Sequence, residues 1–226
     1  MSGREAVLGK VRRALSVSGS ESDRKAAVEG RLANPTTNII PERGQLEGAA
    51  RIELFCKMAE AVQAGVTRVA STDDVPEAIA GFLRQNNLPA DIRLGEDERL
   101  AALPWEKEPN LARKSGPSDG RDLVGVSHAL GGVAETGTLV LHSGPDNPTT
   151  LNFLPDTHIV VVDAADIAGD YESVWQRIRA AFGKGVMPRT VNWVSGPSRS
   201  ADIEQTLLLG AHGPRALQII VVGGET

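Results

Sequence analysis

Hydrophobic residues fall along this chain in two rhythms. In some segments they recur three and four apart, and in others they run together over four or five positions. Residues 3–16 place Val7, Leu8, Val11 and Leu15 on one stripe, with Lys10, Arg12 and Arg13 opposite, which predicts a short amphipathic helix. Residues 17–40 are polar, run through Ser18-Gly19-Ser20-Glu21-Ser22-Asp23 and Asn34-Pro35, and read as an extended arm. Residues 45–64 predict a longer helix with Leu54, Phe55, Met58 and Val62 inward. Cys56 lies one step off that face and reads as a quiet thiol. Val66-Thr67-Arg68-Val69-Ala70 predicts a strand. A helix follows, capped by Thr72, with Val75, Ile79, Phe82 and Leu83 inward, and then the strand Asp91-Ile92-Arg93-Leu94. This β-α-β punctuation predicts parallel pairing.

The second half is denser in strands. Leu123-Val124-Gly125-Val126, Thr138-Leu139-Val140-Leu141, His158-Ile159-Val160-Val161-Val162 and residues 217–222 all read as strands. The third is a continuous apolar run, the pattern of a strand covered on both faces. Ser127 is expected to cap a short helical piece. Asp170 is expected to cap a helix reaching Phe182, with Val174, Trp175, Ile178 and Ala181 inward. Residues 191–204 read as a strand, a Gly196-Pro197 turn and a helix. Ser198 and Ser200 are its N-cap candidates, Asp202 and Glu204 lie in its first turn, Ile203 and Leu207 share a face, and Gly210 sits at C′. The expected organisation is an N-terminal helix and extended arm over residues 1–40, then one α/β domain over 41–226.

Charge and cysteine count narrow the function. The net charge is −5 and no basic block occurs, so nucleic acid is not an expected partner. No apolar run is long enough to span a membrane, and residues 1–5 lead into a charged amphipathic segment rather than a secretory signal. With a single cysteine, Cys56, an internal disulfide or a cysteine-rich metal or iron–sulfur site is excluded. A cytoplasmic protein is the expectation.

Two stretches carry candidate chemistry. A strand-to-helix turn at Ser195-Gly196-Pro197-Ser198-Arg199-Ser200 would offer free backbone N–H groups, two hydroxyls and a guanidinium to an anion. The bland alternative is that Ser200 only caps a helix and Arg199 pairs with a surface acid. Gly131-Gly132-Val133-Ala134-Glu135-Thr136-Gly137-Thr138 matches neither the dinucleotide nor the P-loop glycine spacing. It sets Glu135 beside the hydroxyls of Thr136 and Thr138 and the flexible Gly137. Glu135 there is a candidate base or nucleophile, or equally a turn-capping carboxylate. His128, His142, His158 and His212 show no i, i+4 metal pair, so no metal site is expected. His212, in Gly210-Ala211-His212-Gly213-Pro214, is a candidate acid–base residue or a helix-end histidine. Asp163 closes an apolar strand where sites collect, or caps the next turn.

Four blocks together resemble the LUD domain, and more closely the lactate-utilisation protein C family. They are Ala134-Glu135-Thr136-Gly137-Thr138, Leu154-Pro155 with His158-Ile159-Val160-Val161, Ser195-Gly196-Pro197-Ser198-Arg199-Ser200-Ala201-Asp202-Ile203-Glu204, and Gly210-Ala211-His212-Gly213-Pro214. The resemblance covers roughly residues 45–222, all four blocks in order. It departs at Thr149-Thr150, where many relatives carry arginine. It implies an α/β fold, a three-layer parallel-rich sheet with helices on both faces, like that of the NagB, RpiA and CoA-transferase group. It also implies a role in oxidising L-lactate to pyruvate beside iron–sulfur partner proteins, with no cofactor in this chain. The expected pocket for a small anionic ligand lies between the Glu135 loop and the 195–200 loop. The alternatives are a stand-alone isomerase- or CoA-transferase-like enzyme using Glu135, and a ligand-sensing regulatory subunit. The stripe of residues 3–16 leaves a homodimer or hetero-complex open.

Overall fold

The computed structural model describes residues 2–183, 185–201 and 207–224. Backbone contacts divide it into two units, residues 1–39 and residues 40–226. The first holds two helices, α1 (Gly3–Ala14) and α2 (Ser22–Ala33). α1 opens on a reciprocal capping box between Ser2 and Glu5. Neither helix has a buried residue, and Val7, Val11 and Leu15 are exposed. α2 corrects the extended reading of this stretch. Its Arg24-Lys25-Ala26-Ala27 core consists of strong helix formers, and their polarity masked the helix.

From residue 40 the chain runs α3 (Gly48–Ala61), β1 (Gly65–Val69), α4 (Val75–Gln85), β2 (Asp91–Leu94), α5 (Glu98–Ala101), β3 (Ala112–Ser115), β4 (Val124–His128), β5 (Gly131–Val133), β6 (Thr138–His142), α6 (Thr149–Phe153), β7 (Thr157–Asp163), β8 (Ile167–Ala168), α7 (Tyr171–Phe182), β9 (Val191–Val194), β10 (Arg199–Ala201), β11 (Leu207–Leu209) and β12 (Ala216–Val222). Six strands form a sheet in the order β1-β12-β7-β4-β2-β3, every pair parallel. The α/β class with a helix-flanked parallel sheet therefore holds. Strand residues alternate between two cores. Ile159, Val161, Ile220 and Val222 pack with Val75, Ile79 and Leu83 of α4 and Leu100 of α5. Val160, Val162, Ile219 and Val221 pack on the other face with Ile52, Phe55, Cys56 and Ala59 of α3.

That second core also contains Leu139, Leu141 and Ile167, which belong to a sheet the residue pattern does not separate from the first. Its order is β8-β5-β6-β9, with β5-β6 and β6-β9 antiparallel and β5-β8 parallel. Val140 points the opposite way, to Val174 and Ile178 of α7. The expected strand 191–194 is thus real, but it pairs with β6 in this smaller sheet and not in the parallel one. Cys56 faces the core, and its burial pushes the thiol above its ordinary range, which keeps it protonated and unreactive.

Two further expectations change. Ser127 is a buried residue inside β4 and caps nothing helical. The expected helix does not begin after Ser198, where residues 199–201 form a strand. β10 pairs antiparallel with β11, Arg199 opposite Leu209 and Ser200 opposite Leu208. Asp202, Ile203 and Glu204 lie outside the described residues. Gly210 keeps its left-handed backbone, φ +79°, but it follows a strand.

Asp170 does cap α7. Its carboxylate accepts from the Ser173 amide at 2.8 Å and the Ser173 hydroxyl at 2.7 Å. Asp170→Ala is expected to lower stability by about 1–2 kcal/mol, read as a fall of a few degrees in Tm by calorimetry. Asp170→Asn should retain most of the cap. An alanine variant as stable as the parent would show that the cap is idle.

Candidate functional site

The site is built where the two sheets meet at the amino-terminal ends of β7 and β12. A cavity of about 250 Å³ lies there. Its walls are Trp193 and Val194 of β9, the 195–199 turn, Asn152 and Phe153 of α6, His158 of β7, Leu217 of β12, and the 212–214 loop. Its volume suits a compact small molecule. No helix of eight or more residues begins at this cavity among the described residues, so a helix N-terminus is not what it offers a ligand.

The turn is held from behind by Val62 and Gln63, just past the end of α3. Gly196 has φ +76°, and a Cβ there would meet the carbonyl oxygen of Val62, so only glycine fits without strain. Arg199 reaches the same place. Its Nη2 donates to the Val62 carbonyl at 3.2 Å and its Nη1 to Gln63 Oε1 at 3.5 Å. The Ser198 amide is already engaged, donating to the Pro214 carbonyl at 2.8 Å, and the Gly210 amide donates to the Ser198 carbonyl at 3.0 Å. Ser198 Oγ accepts from the His212 amide at 3.4 Å and keeps its own proton to donate. The Ser198 amide is thus taken up within the protein, and the rim presents the side chains of Ser195, Ser198, Arg199 and His212.

The β5–β6 turn does approach this loop, through hydroxyls. Thr138 Oγ1 lies 2.6 Å from Ser195 Oγ, 2.7 Å from Thr136 Oγ1 and 3.1 Å from Tyr171 Oη, and Thr136 lies 2.9 Å from Tyr171. Trp193 stacks beside Tyr171 and Trp175, both at 5.1 Å between ring centroids. Gly137 has φ +64° and seats the turn on the backbone of Met58 and Ala59.

Glu135 sits elsewhere. It is buried, its amide donates to the Gly169 carbonyl at 3.1 Å, and its carboxylate makes no hydrogen bond or ion pair among the described residues. It does not line the cavity, nor do Thr136, Gly137, Thr138 or Ser200. Five of the expected residues, Ser195, Gly196, Ser198, Arg199 and His212, do line it.

Three polar residues behind the cavity were not singled out as a group by the sequence. Ser127 Oγ donates to Asn152 Oδ1 at 3.3 Å and lies 3.0 Å from His158 Nε2. All three are buried. Burial pushes the His158 imidazole down to about 3, so the ring is neutral near pH 7. Among the described residues, Asn152 Nδ2 and His158 Nδ1 have no hydrogen-bond partner. The available signal was position: a histidine heading an apolar strand, and an asparagine between Leu151 and Phe153.

The carboxyl end of the parallel sheet is closed by charge. Asp97 and Arg99 pair through two contacts, 3.0 and 2.7 Å. Arg99 Nη1 also donates to the Ala129 carbonyl at 3.5 Å. His128 Nδ1 lies 2.9 Å from that carbonyl, and its Nε2 3.4 Å from Asp163. Burial opposes ionisation of Asp97, yet the hydrogen bonds and charge of Arg99 outweigh it and hold the carboxyl below its usual range. Burial, then the Arg99 charge, pushes His128 down. Asp163, expected near a site, is thus part of a brace.

Residues 52–222 match the LUD domain. The chain belongs to the LUD domain family. Two relatives named lactate utilization protein C, from Geobacillus thermodenitrificans and Geobacillus kaustophilus, are each 34% identical over 84% of this chain and 87% of their own length. An uncharacterized protein of Neisseria meningitidis is 39% identical over 44% of this chain and 42% of that protein, so this match spans less than half of each. A crystal structure of a DUF162 family protein from Deinococcus radiodurans superposes with a TM-score of 0.60. It is 24% identical and covers 79% of this chain and 99% of that one, and it shares the fold.

Proposed function

We propose that this chain is the cluster-free component of an L-lactate utilisation system and that the 250 Å³ cavity holds its small organic ligand. The observation that carries the proposal is the 34% identity, over most of both chains, to relatives named lactate utilization protein C. With one cysteine in the chain, iron–sulfur clusters would reside on partner proteins. The reading of a carboxylate or phosphate ligand draws on Ser198, which supplies a hydroxyl at the cavity wall, and on Arg199, which supplies positive charge at the rim. The test is affinity purification of the tagged chain from lactate-grown cells of its host, beside growth of a deletion strain on L-lactate. Co-purification of a cluster-bearing protein and loss of growth on lactate are expected. Unimpaired growth on lactate with no such partner would overturn the reading.

A second reading, an isomerase- or acyl-transfer-type enzyme, draws on Glu135, a largely buried residue whose carboxylate forms no hydrogen bond or ion pair among the described residues. In that case Glu135→Gln abolishes turnover of a sugar phosphate or CoA ester and leaves binding intact. A screen of both classes without turnover would sink it.

A further inference from the structure

We infer that a second cavity, at the carboxyl ends of β1, β7 and β12, binds a phosphate group through Arg51 and the opening turn of α3. It is independent of the 250 Å³ cavity, which lies at the other end of β7 and β12.

The cavity measures about 350 Å³. Three residues separate α3 from β1, so the helix runs back along the strand. Gly48 and Ala49 of its first turn line one cavity with Arg68 of β1. Ala164 follows β7 and Gly224 follows β12 in the same lining. A parallel sheet flanked by helices takes ligands outside these ends of its strands. No side chain caps α3, so the first-turn amides and the positive end of a 14-residue helix are left to an anion.

The charge is one-sided. Arg51 and Arg68 line the cavity and no acid does. Arg51 is half-buried, and its guanidinium forms no hydrogen bond or ion pair among the described residues. Only its Nε is both shielded from solvent and unpaired, so Nη1 and Nη2 reach accessible space. The neighbouring acids are turned to other cations. Glu53 lies 3.9 Å from Arg68, Asp163 3.4 Å from His128 and Asp166 3.5 Å from Arg177. A charge drawn partly out of water is ordinarily paired, and Arg51 lacks that partner among the described residues. The planar fork of a guanidinium matches two oxygens of a phosphate, and the helix amides offer donors to the others. The Glu53 side chain is 74% exposed, so its hold on Arg68 is weak in water. A phosphate dianion therefore draws on both arginines.

The experiment is calorimetric titration of the full chain with inorganic phosphate and with glycerol 3-phosphate, beside thermal shifts against sodium chloride at equal ionic strength. Phosphate should bind and raise Tm beyond the salt control. Tighter binding of the ester assigns the site to a phosphorylated metabolite, and equal or weaker binding assigns it to free phosphate. Arg51→Ala removes the unpaired cation and should weaken binding by roughly 10- to 100-fold in Kd. Ala49→Asp sets a negative charge in the first turn of α3, where it repels the anion but favours the helix dipole. It should weaken binding without lowering the Tm of the free protein, so the loss cannot be a loss of fold. Failure of both probes to bind overturns the inference. So does binding that both variants leave unchanged, which places the anion elsewhere. Either result leaves the lactate-utilisation reading standing, because growth and co-purification test that separately.

Discussion

Gly137→Ala is expected to lower stability by about 2–4 kcal/mol. The residue has φ +64°, where an L side chain is strained. Its new methyl would also be driven into the backbone of Met58 and Ala59 in α3, which cannot swing aside as a flexible side chain can. The strain and the overpacking add, because both act on one turn pinned at both ends. Gly120 is the control: it has φ +90° with nothing near its missing Cβ, so Gly120→Ala should lose only the strain. Urea titrations read the difference as a drop in midpoint with an unchanged slope. Thr138 Oγ1 lies 2.6 Å from Ser195 Oγ on the cavity wall, so a displaced turn should also weaken ligand binding. Equal losses at Gly137 and Gly120 would show that the turn is not seated on α3.

Acid is expected to destabilise the fold through His158. In the unfolded chain this ring binds a proton near pH 6.5, and in the folded protein only near 3. As pH falls below 6.5 the unfolded state therefore takes up the proton first. Folding stability drops by about 1.4 kcal/mol per pH unit and by on the order of 5 kcal/mol as pH approaches 3. Above pH 6.5 this group contributes no slope. His128, also pushed down, acts in the same direction, and so does Asp97, whose contribution fades only as pH drops through the carboxylate range. Urea stability measured at pH 7, 6, 5 and 4 gives the slope. His158→Gln, which cannot titrate there, should flatten it by roughly one proton. An unchanged slope in that variant would show that His158 charges in the folded state.

The two rhythms of the sequence were sufficient for five of the six strands of the parallel sheet, all but β3, and for α3, α4 and α7. The run from His158 to Val162 announced a strand with a core on each side, and both cores exist. α4 and α7 were legible for the same reason, with their apolar residues three and four apart and a cap in front of α7. The β10–β11 hairpin was not. Serines before acids imitate a helix start, and Ile203 and Leu207 sit at a helical interval, while strand pairing depends on partners six to ten residues away. The smaller sheet was hidden because alternation in β6 looks the same whichever sheet it joins. Within the site, the 195–199 turn was legible from its Gly-Pro pair and its donors. Ser127, Asn152 and His158 were not, because each stands in a different element. Only the fold shows that they touch.

One outer element has a consequence for crowded solutions. β3 ends the parallel sheet, and all four of its residues, Ala112, Arg113, Lys114 and Ser115, are exposed. Lys114 is paired at 2.6 Å to Asp91, and Arg113 lies over the Trp105 ring at 5.2 Å. A second molecule adding its own backbone along this border would meet two cations and would have to displace them from their present partners. The border is thereby a deterrent to fibre-like growth, and neutralising Arg113 and Lys114 together would turn it into an invitation.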